Sequence, residues 1–337
     1  MTFDFLNQPP HERQLYFEQG AIQRGLSPVV IEKDFWVCWQ LGILFESNIS
    51  EHLVFKGGTS LSKVFGILDR FSEDIDLSIS PGWLHLPVPG SSRSQCDKWM
   101  KQAESVCATA VEDHIRPELE SRAEQILGPG QPNWYEYQLD PRTGSPVLMF
   151  RYPTAQQTEF SYLARSVKLE FGSLTDQQPT EVYAIRPWLA DTFPDVFADW
   201  ECDVVALDVE RSFWEKATIL HAEHHRPATK TTPDRISRHY ADTAALSVHP
   251  RASGAVARTD LMNRVVEWKS RFFRSSWATY DLARPGSFRL LPRAERVDSL
   301  RRDYHAMRDM YLTEPREFDE ILSLLADLER RINAQGP

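Results

Sequence analysis

Asp74 and Asp76 stand one residue apart in the run DIDLSI, downstream of a glycine pair, Gly57 and Gly58, that is followed at once by Thr59 and Ser60. The alternation of polar and apolar residues predicts a strand over Asp74–Ile79. Asp74, Asp76 and Ser78 then share one face, and Ile75, Leu77 and Ile79 the other. Two carboxylates on one strand face can share divalent cations, and hard oxygen donors favour Mg²⁺ or Mn²⁺. The glycines let backbone amides approach a phosphate with no Cβ in the way. A helix starting there adds free N–H groups and a positive dipole end, and Thr59 and Ser60 add hydroxyls. Such a set suits activation of an attacking hydroxyl and stabilisation of a pyrophosphate leaving group. An Asp-x-Asp pair alone carries little weight, because such pairs are common on solvated strand ends. The order strand, Gly-Gly, helix, Asp-x-Asp strand carries the argument. The competing structural reading is a turn glycine pair beside a polar strand face.

The elements that must position these residues can be read from the flanking pattern. Two N-terminal segments look helical. The second starts at Ser27-Pro28, an N-cap followed by proline at the first helical position. It continues through VVIEKDFWVCWQLGILFES with apolar residues all round, the pattern of a largely buried helix. His52 to Phe55 reads as a short strand, Ser60 to Leu68 as a helix, and Asp69 to Glu73 as a loop. Residues 81–93, rich in Pro, Gly and Ser, read as a loop. A long helical stretch from about Ser94 to Leu127 ends at Gly128-Pro-Gly-Gln-Pro132. Between Trp134 and Arg186 the segments are β-like, notably Ser166 to Phe171. From about Asp208 onward the pattern is helical, with only Ala283–Pro292 irregular. No internal repeat or low-complexity tract interrupts the chain. The expected organisation is an α/β core over 1–200 with N-terminal helices, and a helical domain over 201–337 that completes the active site, the boundary falling near 190–206.

Composition sets bounds on function. A chain of 337 residues with 42% hydrophobic residues can bury a sizeable core, and no stretch reaches the roughly 20 apolar residues of a membrane span. The opening MTFDFLNQPPHERQ has neither a basic nor an apolar signal region, so a cytoplasmic location is expected. Cys38, Cys96, Cys107 and Cys202 form no CxxC pair, which argues for buried thiols rather than disulfides or zinc. The net charge is −10, but Arg211 to Arg316 holds 20 Lys and Arg against 12 Asp and Glu, a balance of +8 that leaves −18 elsewhere. That division suits an acidic metal-holding half beside a half that meets a polyanion; helices with arginine-rich solvated faces give the same count. His221, His224 and His225 share a helix face, but no zinc-type partner accompanies them, and a solvated helix end is expected. Tryptophans such as Trp188, Trp200, Trp214, Trp268 and Trp277 are expected to fill cores rather than stack bases.

The run FKGGTSLSKVFGILDRFSEDIDLSI resembles motif I of the DNA polymerase β-like nucleotidyltransferase superfamily. More narrowly it resembles the AbiEii/AbiGii-type, MenT-like toxin group. The blocks IEKDFWVCWQL, ERSFWEKATILHAEHHR and SRHYADTAAL are similar to that group's recurring segments, and the likeness spans roughly residues 27–247. The spacer Ser60–Glu73 holds 14 residues, slightly more than is usual in the superfamily, which leaves Thr59 and Ser60 both open as the phosphate-contacting hydroxyl. The resemblance implies an α+β fold, a mixed sheet with flanking helices plus a mainly helical C-terminal half. It implies a Mg²⁺-dependent transfer of a nucleotide from a nucleoside triphosphate to RNA, a tRNA 3′ end foremost, with growth arrest as the outcome. It also implies a separately encoded antitoxin that acts without stable contact. By the same likeness Glu170, on a strand where Lys168 and Glu170 share the polar face, is the candidate third carboxylate. Lys216 is the candidate cation for triphosphate charge, and Asp242 the candidate carboxylate of its block, with Arg238 one helical turn before it. Each has a plainer alternative: an exposed glutamate, a solvent-facing lysine, an i,i+4 helix pair. Transfer to a small molecule or protein, or nucleotide binding without catalysis, are the competing functions.

Overall fold

The computed structural model describes residues 4–72, 74–130, 133–155 and 165–335. Helix α1 (Pro10–Arg24) ends at Gly25, whose φ of 67° lies in the left-handed region. Helix α2 (Pro28–Phe45) begins as its sequence predicts, with the Ser27 hydroxyl accepting from Val30 N–H and Pro28 in the first turn. Nearly every residue of α2 is buried, which is why it shows no polar stripe.

Strand β1 (Leu53–Lys56) runs directly into helix α3 (Gly57–Lys63), and strand β2 (Asp74–Ile79) follows. The helix starts earlier and stops sooner than Ser60–Leu68. Gly57, at φ 81°, turns the chain out of the strand within one residue, and the path leaves helical geometry before Gly66 at φ 64°. Helices α4 (Arg93–Ala110) and α5 (Arg116–Leu127) are joined by a π-helical turn over Val111–Ile115. Pro117 explains the turn, since it has no N–H for the carbonyl four residues back and its ring displaces that carbonyl. Gly128 follows α5. Gln131 and Pro132 of the expected terminator, Glu73 of the expected loop, and 156–164 of the expected β-rich stretch lie outside the described residues.

Strands β3 (Tyr135–Leu139), β4 (Pro146–Phe150), β5 (Val167–Gly172) and β6 (Thr180–Ile185), helix α6 (Leu189–Thr192) and strand β7 (Cys202–Leu207) come next. Strand β7 falls where the sequence suggested only a boundary. Helices α7 (Val209–His225), α8 (Ser237–Val248), α9 (Thr259–Phe272), α10 (Ala294–Ala306) and α11 (Phe318–Asn333) complete the chain; 283–292 is irregular as expected, but 226–236, 273–279 and 311–317 are irregular as well. Among the described residues no helix is long and apolar enough to cross a membrane. The α+β class is the one that the sequence led us to expect.

The chain divides into two compact units: Met1–Val64, Ser72–Gly90 and Lys98–Ala206 form one, and Phe65–Phe71, Ser91–Asp97 and Leu207–Pro337 the other. The first holds a seven-stranded mixed sheet in the order β3-β4-β5-β2-β1-β7-β6. Strand β2 lies antiparallel to β1 and parallel to β5, while β1 lies parallel to β7. Register gives the centre of the sheet an apolar face, with Leu148, Leu169 and Ile75 side by side and Phe171, Leu77 and Phe55 beside them. All six are fully buried. Helix α2 lies against this face, with Trp36 and Trp39 packed on Phe150 at ring separations of 5.8 and 5.1 Å. The second unit is helical: α7 packs on α8 and α9, and α8 on α10 and α11. Within it, residues 69–71 pair with 310–312 as a short antiparallel bridge, through Phe71 N–H to Met310 O at 2.7 Å and Leu312 N–H to Asp69 O at 3.2 Å.

Candidate active site

The polar face of the sheet follows from the same registers. Asp76 stands between Lys56 on β1 and Glu170 on β5, and Asp74 stands beside Lys168. The strand alternation read from the sequence therefore places Asp74, Asp76 and Glu170 on one face. The two aspartates are half-buried, and Ser78 beyond them is fully buried, with Gln177 Nε2 donating to its carbonyl at 2.9 Å. The Glu170 carboxylate accepts from Lys168 Nζ at 2.8 Å, and the same ammonium reaches Asp140 Oδ2 at 3.0 Å. Partial burial alone would lower the Lys168 pKa, but these two hydrogen bonds and the nearby carboxylates outweigh it and hold it above the ordinary lysine value.

Gly57 brings the turn against this face. A Cβ at that position would collide with the Asp76 carboxylate, and the positive φ excludes other residues independently. Thr59 and Ser60 are both buried. The Thr59 hydroxyl donates to the Asp74 carbonyl and lies 2.8 Å from the Ser72 hydroxyl, while Ser60 Oγ donates to Gly57 O at 3.1 Å. Ser60 thus braces the turn and Thr59 ties it to β2, with Gly57 lying against the Asp76 carboxylate.

The second unit gathers Lys216 from α7 and Asp242 from α8. Lys216 Nζ donates to Asp242 Oδ2 at 2.8 Å, and the residue is buried rather than solvent-facing. The other partner of Asp242 is Arg70, whose Nε and Nη2 hold the two carboxylate oxygens at 2.8 and 2.9 Å. Arg238 does not take that place among the described residues. Burial alone would raise the Asp242 pKa, but the two cations hold it far below the carboxylate range. Burial lowers the Lys216 pKa, with Asp242 opposing and Arg70 adding to the effect. Arg70 and Asp242 line a cavity of about 470 Å³ with Tyr304, Tyr311, Thr313 and Arg316. No motif marks Arg70 in the sequence. Its local context, beside Asp69 in the otherwise uncharged run Val64–Phe71, gives no signal, because its partner lies 172 residues away.

The histidines on α7 do not make the solvated helix end that the sequence suggests, because His221 is buried and bonded on both ring nitrogens. Its Nδ1 accepts from Arg289 N–H at 3.1 Å, so that Nε2 carries the proton toward Thr279 O at 3.1 Å. His224 Nδ1 lies 2.7 Å from Leu291 O. Burial lowers the His221 pKa to about 4. A histidine with an ordinary unfolded value of about 6.5 then contributes stability that is full above 6.5 and lost as pH falls toward 4. Urea unfolding of His221→Gln between pH 4 and 7 is expected to show this slope reduced, by about 3 kcal/mol across the range. An unchanged slope would remove His221 from the account. The four cysteines are buried and free, as expected. Burial pushes Cys107 and Cys202 up to about 12, far from a reactive thiolate. Trp200 and Trp214 fill cores, while Trp277 lies half-buried under the Arg226 guanidinium at 4.4 Å.

The carboxylate face fits a hard divalent cation of the Mg²⁺ type. Such an ion needs one or two protein carboxylates and takes its remaining ligands from water and substrate phosphates. Asp74 and Asp76 supply that number; among the described residues no group of three or more His, Cys, Asp or Glu could hold a metal ion. A family model described as nucleotidyl transferase AbiEii toxin, Type IV TA system, matches residues 41–324, well over half of the chain. No curated protein matches it.

Proposed function

The chain belongs to the AbiEii family of nucleotidyl transferase toxins of type IV toxin–antitoxin systems, and from that premise we propose that it transfers a nucleoside monophosphate from a triphosphate to an RNA acceptor, a tRNA 3′ end. The acceptor hydroxyl oxygen bonds to the α-phosphorus and gives up its proton to solvent, the bond from that phosphorus to the β-phosphate bridging oxygen breaks, and pyrophosphate leaves. The observation that carries the reading is the pair Asp74 and Asp76 on one strand face, with the Gly57 turn pressed against Asp76.

Asp74 and Asp76 would hold Mg²⁺ or Mn²⁺, which when bound lowers the pKa of the attacking hydroxyl and offsets charge on the leaving group. Glu170 enters as the third carboxylate. Its register beside Asp76 supports that role, and a metal there would take the place that Lys168 now holds on its carboxylate. The Gly57 and Gly58 backbone gives phosphate oxygens close approach. Lys216 would offset triphosphate charge, with Asp242 fixing its ammonium. The antitoxin of such a system is a separate protein, and we propose that it acts without stable contact.

Incubation with each labelled triphosphate and total RNA tests the acceptor. Label is expected in RNA, with the slope of log K against log salt near −3 to −4 if about four phosphates are neutralised. The arginines of the helical unit fall into two groups. Arg296 is buried and donates to Pro227 O, Lys230 O and Thr232 Oγ1, so it is a structural residue rather than an exposed one. Arg293 donates to His224 O, and Arg301 pairs with Asp319. Arg284 and Arg302 are exposed. Reversing their charge is expected to reduce RNA modification and spare triphosphate binding. Label entering a small molecule or a protein, and never RNA, would overturn the RNA reading.

A further inference from the structure

Helix α2 is the most apolar helix of the chain, yet its second turn carries three consecutive charged residues, Glu32, Lys33 and Asp34, exposed by only 1%, 1% and 2%. They lie upstream of the residues that the family model matches. Successive helix positions are about 100° apart, so the three side chains point in different directions and each must find its own partners. A charge buried this deeply is retained only where it is paired and hydrogen-bonded.

Those partners come from segments that are distant in sequence. The Glu32 carboxylate accepts from Ala155 N–H at 2.6 Å and from the Thr154 hydroxyl at 2.8 Å. The Asp34 carboxylate accepts from Lys63 Nζ at 2.5 Å and from Trp188 N–H at 2.7 Å, and the same ammonium lies 4.9 Å over the Trp188 ring. Lys63 is the last residue of α3, the helix that Gly57 begins. Seven residues are too few to form a stable helix unaided, so the position of α3 is set by what holds its ends. At the start, Gly57 meets the Asp76 carboxylate and Thr59 donates to the Asp74 carbonyl. At the other end the tether is Lys63 to Asp34, on a helix locked to the sheet by Trp36 and Trp39.

We propose that Asp34 is a positioning residue that acts through Lys63: it fixes α3 against α2 and so sets the place of the Gly57–Gly58 turn relative to Asp74 and Asp76. The functional part of this inference rests on those residues being the nucleotide site. An apolar pair of the same volume would fill the space, but it would not fix the direction and reach of the contact. The ion pair with two hydrogen bonds on the carboxylate does both.

The test uses the full chain with Asp34→Asn and Lys63→Met, and reads two quantities. In hydrogen exchange, the α3 amides are expected to exchange at least about tenfold faster in both variants, while those of β4 and β5 keep the wild-type rate. In the transfer assay, KM for the triphosphate is expected to rise about 10- to 100-fold, as small displacements of a binding group do, with kcat less affected. Lys63→Arg, which keeps the charge, is expected to restore part of both. Unchanged α3 exchange in folded Asp34→Asn overturns the proposal. So does a loss of activity carried by kcat alone in proportion to the unfolded fraction. Should Asp34→Asn not fold, Lys63→Met and Lys63→Arg carry the same two measurements. A wild-type protein that transfers no nucleotide would count against the transferase reading only, and the exchange result would still decide whether Asp34 positions α3.

Discussion

Asp74→Ala and Asp76→Ala are expected to leave a folded protein that transfers no measurable nucleotide. The two effects separate because of where the carboxylates stand. Asp76 has Glu170 beside it in register on the neighbouring strand, and like charges directly opposite destabilise a sheet. Removing one carboxylate from a half-buried polar face therefore costs little, within about 0.5 kcal/mol either way. Transfer, by contrast, depends on a metal that offsets charge on phosphoryl oxygens, a contribution of several kcal/mol, so the loss is expected to be at least about 10²- to 10³-fold. Label transfer measured beside thermal melting reads both quantities on one preparation, and a chelator should reproduce the loss in the wild-type protein. Full transfer by the double variant Asp74→Ala/Asp76→Ala would sink the assignment of these residues to the metal.

What the sequence revealed of this site, and what it hid, divides by the range of the interaction. Strand alternation is a local property, so Asp74 and Asp76 could be set on one face and opposite Ile75 and Leu77 from six residues alone. The glycine turn was also local, though which glycine matters was not: Gly57 adopts the positive φ and touches Asp76, and that follows only from the register of β1 on β2. A buried-helix pattern hides the triplet Glu32, Lys33 and Asp34, because periodicity counts apolar positions and does not ask what a buried charge pairs with. Arg70 and Asp242 meet across 172 residues, and no spacing rule reaches that far. The plainer alternative, a local i,i+4 pair with Arg238, is not what holds Asp242; Arg70 and Lys216 are. Arg296 illustrates the same limit for charge counts, since a balance of +8 cannot tell a buried arginine that caps three oxygens from one exposed to solvent.

The Arg70–Asp242–Lys216 cluster gives the largest expected effect on stability. Two buried cations converge on one carboxylate, so the consequence of removing a member depends on which one goes. Asp242→Ala leaves Arg70 and Lys216 facing each other without their counter-charge, and is expected to cost about 3–5 kcal/mol. Lys216→Ala leaves Asp242 with both oxygens still held by Arg70, and should cost distinctly less, while lowering triphosphate use if its ammonium serves the phosphates. The pH dependence has a fixed sign. The folded-state pKa of Asp242 lies far below its unfolded value of about 3.9, so its contribution is complete above that value and is lost as pH falls below it, where the unfolded chain takes up a proton that the folded one refuses. Asp242→Asn should therefore lose stability relative to wild type most at pH 7 and progressively less at pH 3 and below. Urea unfolding of the three variants at pH 7 and pH 3 tests both statements. A cost for Lys216→Ala equal to or above that of Asp242→Ala would mean that the carboxylate is not the centre of the cluster, and the roles drawn here for Lys216 and Arg70 would have to be exchanged.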